Sequence, residues 1–203
     1  MVRPYDHRDR YFLAAKKEGY SARSVYKLEE LDKKYHLLKS GCRVVDLGAA
    51  PGSWMQYAAK IVLPKGYLLG LDLKEVTAPL PQTAKHVVMD LLQSTPEDFA
   101  ALGATPGSID VVLSDAAPLT TGIKVTDRAR SLALVEMVFH IACILLKPRG
   151  HLVFKLFTSA DYQSLEKQLR LRFEKVISQR PSAVRRTSEE RFVVCLNYIA
   201  PNA

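Results

Sequence analysis

A chain of 203 residues, 48% hydrophobic and 25% charged, is long enough to bury one sizeable core and too apolar to stay disordered. Its net charge of +8 and pI near 9.4 favour an anionic partner. A nucleic acid is favoured over a membrane surface, because the sequence offers neither a long apolar span nor a basic amphipathic helix with an aromatic face.

The first twenty residues are basic and aromatic, with Arg3, Tyr5, His7, Arg8, Arg10, Tyr11, Phe12, Lys16 and Lys17. They read as an N-terminal arm (1–20), flexible or shortly helical, ahead of a single domain over 21–203. Ser21 then suits a helix N-cap, with Val25, Leu28 and Leu31 on one face and Lys27 beside that stripe. Strands are predicted at Arg43–Leu47, Tyr67–Leu71, His86–Met89, Ile109–Leu113 and His151–Leu156. Between them come helices at Trp54–Val62, Pro96–Leu102 and Asp127–Leu146, and a further helix follows at Asp161–Leu171. Two closing strands, Phe173–Ser178 and Arg191–Tyr198, have no helix between them and are expected to pair antiparallel at an edge. The alternation predicts an α/β fold with a mostly parallel sheet and helices on both faces.

The stretch Val44-Val45-Asp46-Leu47-Gly48-Ala49-Ala50-Pro51-Gly52-Ser53-Trp54 is a strand, a glycine-containing turn and a helix start, which is how an open α/β sheet builds a ligand crevice. It lacks both the G-x-G-x-x-G spacing and the lysine of a phosphate loop, so a dinucleotide or triphosphate is disfavoured. Four acids recur at strand ends: Asp46, Asp72, Asp90 and Asp115. In a parallel sheet those ends share one edge, so the acids converge on one crevice. Asp72 is placed to accept from both hydroxyls of a bound ribose. Lys155 lies inside the apolar run Leu152–Phe157, where a lysine is costly unless paired; it marks either a site or a strand-end lysine with its head in water. Asp115 is either part of that site or a turn acid ahead of Pro118. Trp54 packs either on a ligand or in the core.

Asp-Leu-Gly-Ala-Ala-Pro-Gly-Ser-Trp, the Ser114-Asp115-Ala116-Ala117-Pro118 turn, Lys155 and Glu190 together resemble the FtsJ/RrmJ (RlmE) family of ribosomal RNA 2′-O-methyltransferases, from Ser21 to about Val194. Ser53 departs from members that carry a second glycine there. The resemblance implies a Rossmann-like S-adenosylmethionine-dependent methyltransferase fold with a seven-stranded sheet and an antiparallel edge strand. It implies a catalytic tetrad of Lys27, Asp115, Lys155 and Glu190, with Lys155 as proton acceptor. It also implies S-adenosylmethionine contacts from Gly52, Trp54, Asp72, Asp90 (to the adenine amino group) and Asp115, in the crevice that holds Asp46 and Gly48. The substrate implied is a ribose, at uridine, in large-subunit ribosomal RNA, free or within the ribosomal subunit. Methyl transfer of this kind requires no metal. The basic arm, Arg23, Arg180, Arg185 and Arg186 are expected to meet phosphates.

Transfer RNA or an mRNA cap is the alternative substrate, and an RNA-binding assembly factor without catalysis is the alternative function; a lysine inside a core strand speaks against the latter. A nicotinamide oxidoreductase is disfavoured by the missing fingerprint. Cys42, Cys143 and Cys195 form no Cys-x-x-Cys pair, so a zinc knuckle and a disulfide framework are not expected. With a charged N-terminus lacking an apolar core, this predicts a cytoplasmic setting; a monomer is expected.

Overall fold

The β-branched and leucine-rich runs of the sequence become seven strands of one sheet, in order β3-β2-β1-β4-β5-β7-β6. The structure, a computed structural model, describes residues 10–118, 122, 124–157, 162–185 and 187–200. Residues 1–9, Asp161 and Arg186 lie outside the described residues. The strands are β1 Arg43–Leu47, β2 Tyr67–Asp72, β3 Lys85–Val88, β4 Ile109–Ser114, β5 Leu146–Phe157, β6 Phe173–Gln179 and β7 Glu190–Tyr198. The helices are α1 Arg10–Lys17, α2 Val25–Tyr35, α3 Ser53–Val62, α4 Pro96–Ala101, α5 Lys124–Leu145 and α6 Tyr162–Arg172.

Strands β1 to β5 pair parallel, which crossover connections rather than tight hairpins make possible. The expected antiparallel pairing is made by β7, which runs against both β5 and β6. It lies one place in from the edge, with β6 outside it. This insertion gives β7 two partners and lets Phe192, Val193, Val194 and Cys195 be fully buried.

Each sheet face buries alternate residues of the same strands. Val45, Leu47, Val112, Phe154 and Val193 pack under α5 and α6. Val44, Leu113, Val153, Phe192 and Val194 pack under α2 and α3, through Leu28, Leu31, Trp54 and Met55. The two apolar layers fix which way every strand side chain points.

The starts of α2 and β5 differ most from the sequence reading. Helix α2 begins at Val25, and Ser21 is not its cap; the Ser21 amide donates instead to Gln56 Oε1 at 2.8 Å. Ser24 stands at the helix start but spends its hydroxyl on Ser53 Oγ, 2.8 Å away. Strand β5 begins at Leu146, five residues early, with its register to β4 shifting between Ile109 and Val111. The interval holds Pro148, which has no amide to donate, and Arg149 at φ 66°, so the ladder cannot run straight through it. By contrast α4 starts where its chemistry dictates. Thr95 and Asp98 form a reciprocal capping box ahead of Pro96, satisfying otherwise unpaired amides.

The turn after β1 is anchored to its neighbours on both sides. The amides of Gly48 and Ala49 donate to Leu71 O at 2.7 and 3.1 Å. Gly48 has φ 82°, and a Cβ there would stand 2.5 Å from Ala116 Cβ. Gly48→Ala should therefore cost about 2 kcal/mol or more, from positive φ plus a backbone clash, read as a lower urea midpoint at unchanged slope.

Candidate active site

The alternation that builds the core also gathers the polar residues. Val44 and Asp46 share the α2/α3 face of β1, and Leu113, two residues before Asp115, lies on that face of β4. On β5 it carries Val153 and Lys155; on β7 it carries Glu190, Phe192 and Val194. The register sets Lys155 opposite Phe192 and Phe157 opposite Glu190. Because β7 is antiparallel, its first residue arrives at the same edge as the last residues of β1, β4 and β5. Helix α2 covers this face and presents Lys27 from its first turn.

All four side chains meet. Lys155 Nζ donates to Asp115 Oδ1 at 2.9 Å and also to the Asp115 backbone oxygen. Lys27 Nζ lies 2.8 Å from Glu190 Oε1 and 3.9 Å from Asp115 Oδ1. Asp115 thus stands between two ammonium groups, and the cluster of two cations and two carboxylates balances its own charge. None of the four side chains is more than 18% exposed, so the attractions are screened less than at a surface. Removing one partner would strand a buried charge. Two of the three Nζ donors of Lys155 point at one residue, which leaves one direction open to a ligand.

The strand-end acids fall along the same edge, and each is held differently. Asp72 accepts from the Ala50 amide at 3.0 Å and the Lys74 amide at 2.9 Å, so it ties the glycine turn to β2. Asp90 accepts from the Leu92 amide at 3.0 Å and the Gln93 side chain at 3.2 Å. Asp46 is 1% exposed, and neither carboxyl oxygen has a hydrogen-bond partner. Burial, then the charges of Asp115 and Asp72, push its carboxyl well above the usual range, as loss of hydration and like charges both disfavour ionisation. A buried, unpartnered carboxyl at this edge suits a ligand that brings a donor or a positive charge.

Gly52 precedes α3 at φ 112°, and its missing side chain leaves room for Ala78 and Val76. Trp54 is 3% exposed and sits in the core against Phe192, ring centroids 5.7 Å apart, its indole nitrogen donating to Ser24 O at 2.9 Å. No group of three His, Cys, Asp or Glu side chains with metal-binding geometry occurs among the described residues. No helix of the described residues is long and apolar enough to cross a membrane.

Sequence reasoning missed three supports of this cluster. The Phe192 ring lies 5.3 Å below Lys27 Nζ, a cation–π contact worth about 1 kcal/mol; its position two residues after Glu190 on a strand was the available signal. The Ser24–Ser53 hydroxyl pair joins the start of α2 to the start of α3, with no local signature. Arg180, expected at the RNA surface, donates to Arg185 O at 3.1 Å and Ser188 O at 2.9 Å, closing the loop that leads to Glu190. Arg23 donates to Ala183 O in the same loop.

A sequence profile described as FtsJ-like methyltransferase matches residues 20–198. The chain belongs to the FtsJ-like methyltransferase family. Within that family it is 46% identical over 194 residues, 95% of its own length and 98% of the relative's, to a protein of Bdellovibrio bacteriovorus called ribosomal RNA large subunit methyltransferase E. A protein of the same name from Syntrophobacter fumaroxidans is 47% identical over 190 residues, 94% of this chain and 95% of that one. A crystal structure from Plasmodium falciparum, described as that of a ribosomal RNA methyltransferase, superposes with a TM-score of 0.75 at 26% identity, covering 90% of this chain and all of that one. The Rossmann-like methyltransferase fold is therefore that of the family.

The raised Asp46 carboxyl gives a signed pH effect. A group whose folded pKa exceeds its unfolded value contributes stability that is complete below the unfolded pKa, in the acid range, and is lost as pH rises through the folded value. Asp46→Asn cannot ionise. The wild type should thus lose thermal stability relative to Asp46→Asn as pH is raised from acid to neutral, and parallel melting curves across that range would contradict a buried neutral Asp46.

Proposed function

We propose that the protein transfers a methyl group from S-adenosylmethionine to a ribose 2′-hydroxyl, at uridine, in large-subunit ribosomal RNA. The observation that carries this reading is the junction of Lys155, Asp115, Lys27 and Glu190 into one buried cluster beside the unpartnered Asp46. The names of the relatives support ribosomal RNA over transfer RNA or an mRNA cap. The net charge of +8 supports a polyanionic substrate, bound with strong salt dependence. The basic N-terminal residues 1–20 serve in this reading as an RNA-contacting arm, and the protein works in the cytoplasm.

S-adenosylmethionine supplies a sulfonium-bound methyl, an electrophile that needs no metal. Asp72, with acceptor capacity beyond its two backbone bonds, receives the ribose hydroxyls of the donor. Asp46 faces its positive groups. Gly48 and Gly52 let the turn pack closely against Ala116, Ala78 and Val76 and so shape the donor's site, Asp90 faces the adenine, and Trp54 acts from beneath, by holding the start of α3.

A ribose hydroxyl is a weak nucleophile, so a base must take its proton as the new bond forms. Lys155 fills that role from the open direction at Nζ, once it has given up to solvent the proton that it carries in the charge-balanced cluster. Asp115 fixes the lysine through two acceptors and, with Glu190, holds Lys27 so that its charge lies beside the reacting ribose. The cluster is held before substrate arrives, so little reorganisation is needed at the moment of reaction.

Two measurements test this. Asp72→Ala should weaken S-adenosylmethionine binding more than tenfold, since a hydrogen bond to a charged acceptor contributes about 1.5–3 kcal/mol; calorimetry showing no cofactor binding by the wild type would refute the reading. Lys155→Ala should lower methyl transfer by about 10²–10⁴ while cofactor affinity is kept. Lys155→Arg should fail nearly as badly, because a guanidinium stays protonated. Wild-type-like turnover by the arginine variant would make Lys155 a positioning charge and not the base.

A further inference from the structure

On α1, α2 and the segment between them a row of aromatic rings interleaves with cations. Tyr26 is its centre. Tyr11 of α1 lies 5.5 Å from Tyr26 in a tilted contact, and Tyr20, between the two helices, lies 6.4 Å away edge-on. Cations sit over both outer rings. Arg10 and Arg23 stand 4.7 and 5.4 Å from the Tyr11 centroid, and Lys60 of α3 stands 4.0 Å from that of Tyr20. Arg10 and Lys60 are exposed, and the three rings are half-buried.

Packing alone does not account for this composition. The core nearby is built from Val25, Leu28, Leu31 and Met55, and aliphatic side chains would cover α2 at lower cost than three positive groups brought together. The row is also held in place. The Tyr11 hydroxyl meets Ser182 Oγ at 3.0 Å, Ser182 donates to Glu30 on α2, and Gln56 binds both Gly19 O and the Ser21 amide. The Tyr26 phenol is pushed up to about 12, by burial first and by Glu18 second.

Half-exposed aromatic rings interleaved with guanidinium and ammonium groups are the chemistry by which proteins hold unpaired bases, since every base has a π-face and every nucleotide a phosphate. We infer that Tyr11, Tyr20 and Tyr26, with Arg10, Arg23 and Lys60, form a stacking platform for unpaired nucleobases that flank the target ribose. The inference rests on the proposed RNA reading and adds to it a surface: bases next to the target nucleotide lie on the α1–α2 surface while its ribose reaches Lys155. Phosphate contact alone would hold a duplex equally well.

Fluorescence anisotropy with a mixed-sequence single-stranded RNA, and with an abasic ribose-phosphate strand of the same length at the same salt, separates stacking from charge. The wild type should prefer the RNA with bases by about tenfold, the order expected of one stacked base. Tyr11→Leu keeps an apolar side chain but no ring, and should bring that ratio towards one with the abasic affinity unchanged. Tyr20→Leu, away from the Ser182 contact, should act in the same direction. Circular dichroism establishes that each variant is folded. A base-dependent ratio untouched in both variants, or equal losses on both ligands, would overturn the platform. Methyl transfer by the wild type to ribosomal RNA is measured separately and reads the proposed function, so failure of one is distinguishable from failure of the other.

Discussion

The carboxylate of Asp115 is the interaction on which the candidate site turns. Two lysines of like charge share a pocket in which no side chain of the cluster is more than 18% exposed, and without an anion between them their repulsion would be barely screened. Asp115 meets Lys155 with both its side chain and its backbone, and stands 3.9 Å from Lys27. It can do so because β4 ends one residue earlier, at Ser114, opposite Phe154, so the chain leaves the sheet beside Lys155. The rest of the site is arranged around that junction. Glu190 completes the charge balance from β7, and Asp46, below, is driven towards its neutral form partly by Asp115 itself.

A second constraint is the double use of each sheet face. The side on which Val44, Leu113, Val153 and Val194 pack against α2 and α3 is the side on which Asp46, Lys155 and Glu190 emerge once the strands reach their edge. The core therefore aims the polar groups. Trp54 and Phe192 belong to both, being buried against each other while Phe192 also lies under Lys27. A change meant to repack this part of the core would move the ammonium group above it.

Much of this was legible in the sequence because it is periodic or local. Strand-end acids, the glycine turn after β1 and the apolar runs mark the parallel strands and their shared edge. The ordered lysines and acids placed the chain in its family. Features that depend on the third dimension were less legible. Nothing near Ser24 announces that its hydroxyl will serve Ser53 rather than its own helix, and so the start of α2 was read at Ser21. The early start of β5 rests on a register shift around Pro148 and Arg149, which propensity does not encode. Arg180 is the exposed cation that the sequence suggests, and what the sequence does not show is that it also closes a turn through two backbone oxygens.

The position of β7 has a bearing on how the molecule comes into being. The final strand of the described chain is not added at the rim but slots between β5 and β6, and it brings Glu190 and Phe192 with it. During synthesis every earlier strand can leave the ribosome with one seam of the sheet unfilled and Lys27 lacking Glu190, the nearer of its two carboxylate partners. Closing that seam is a late event of long sequence separation, slow in its kinetics. The same step that covers the open edge of β5 also completes the charge cluster, so a nascent chain acquires its candidate site as that edge is paired.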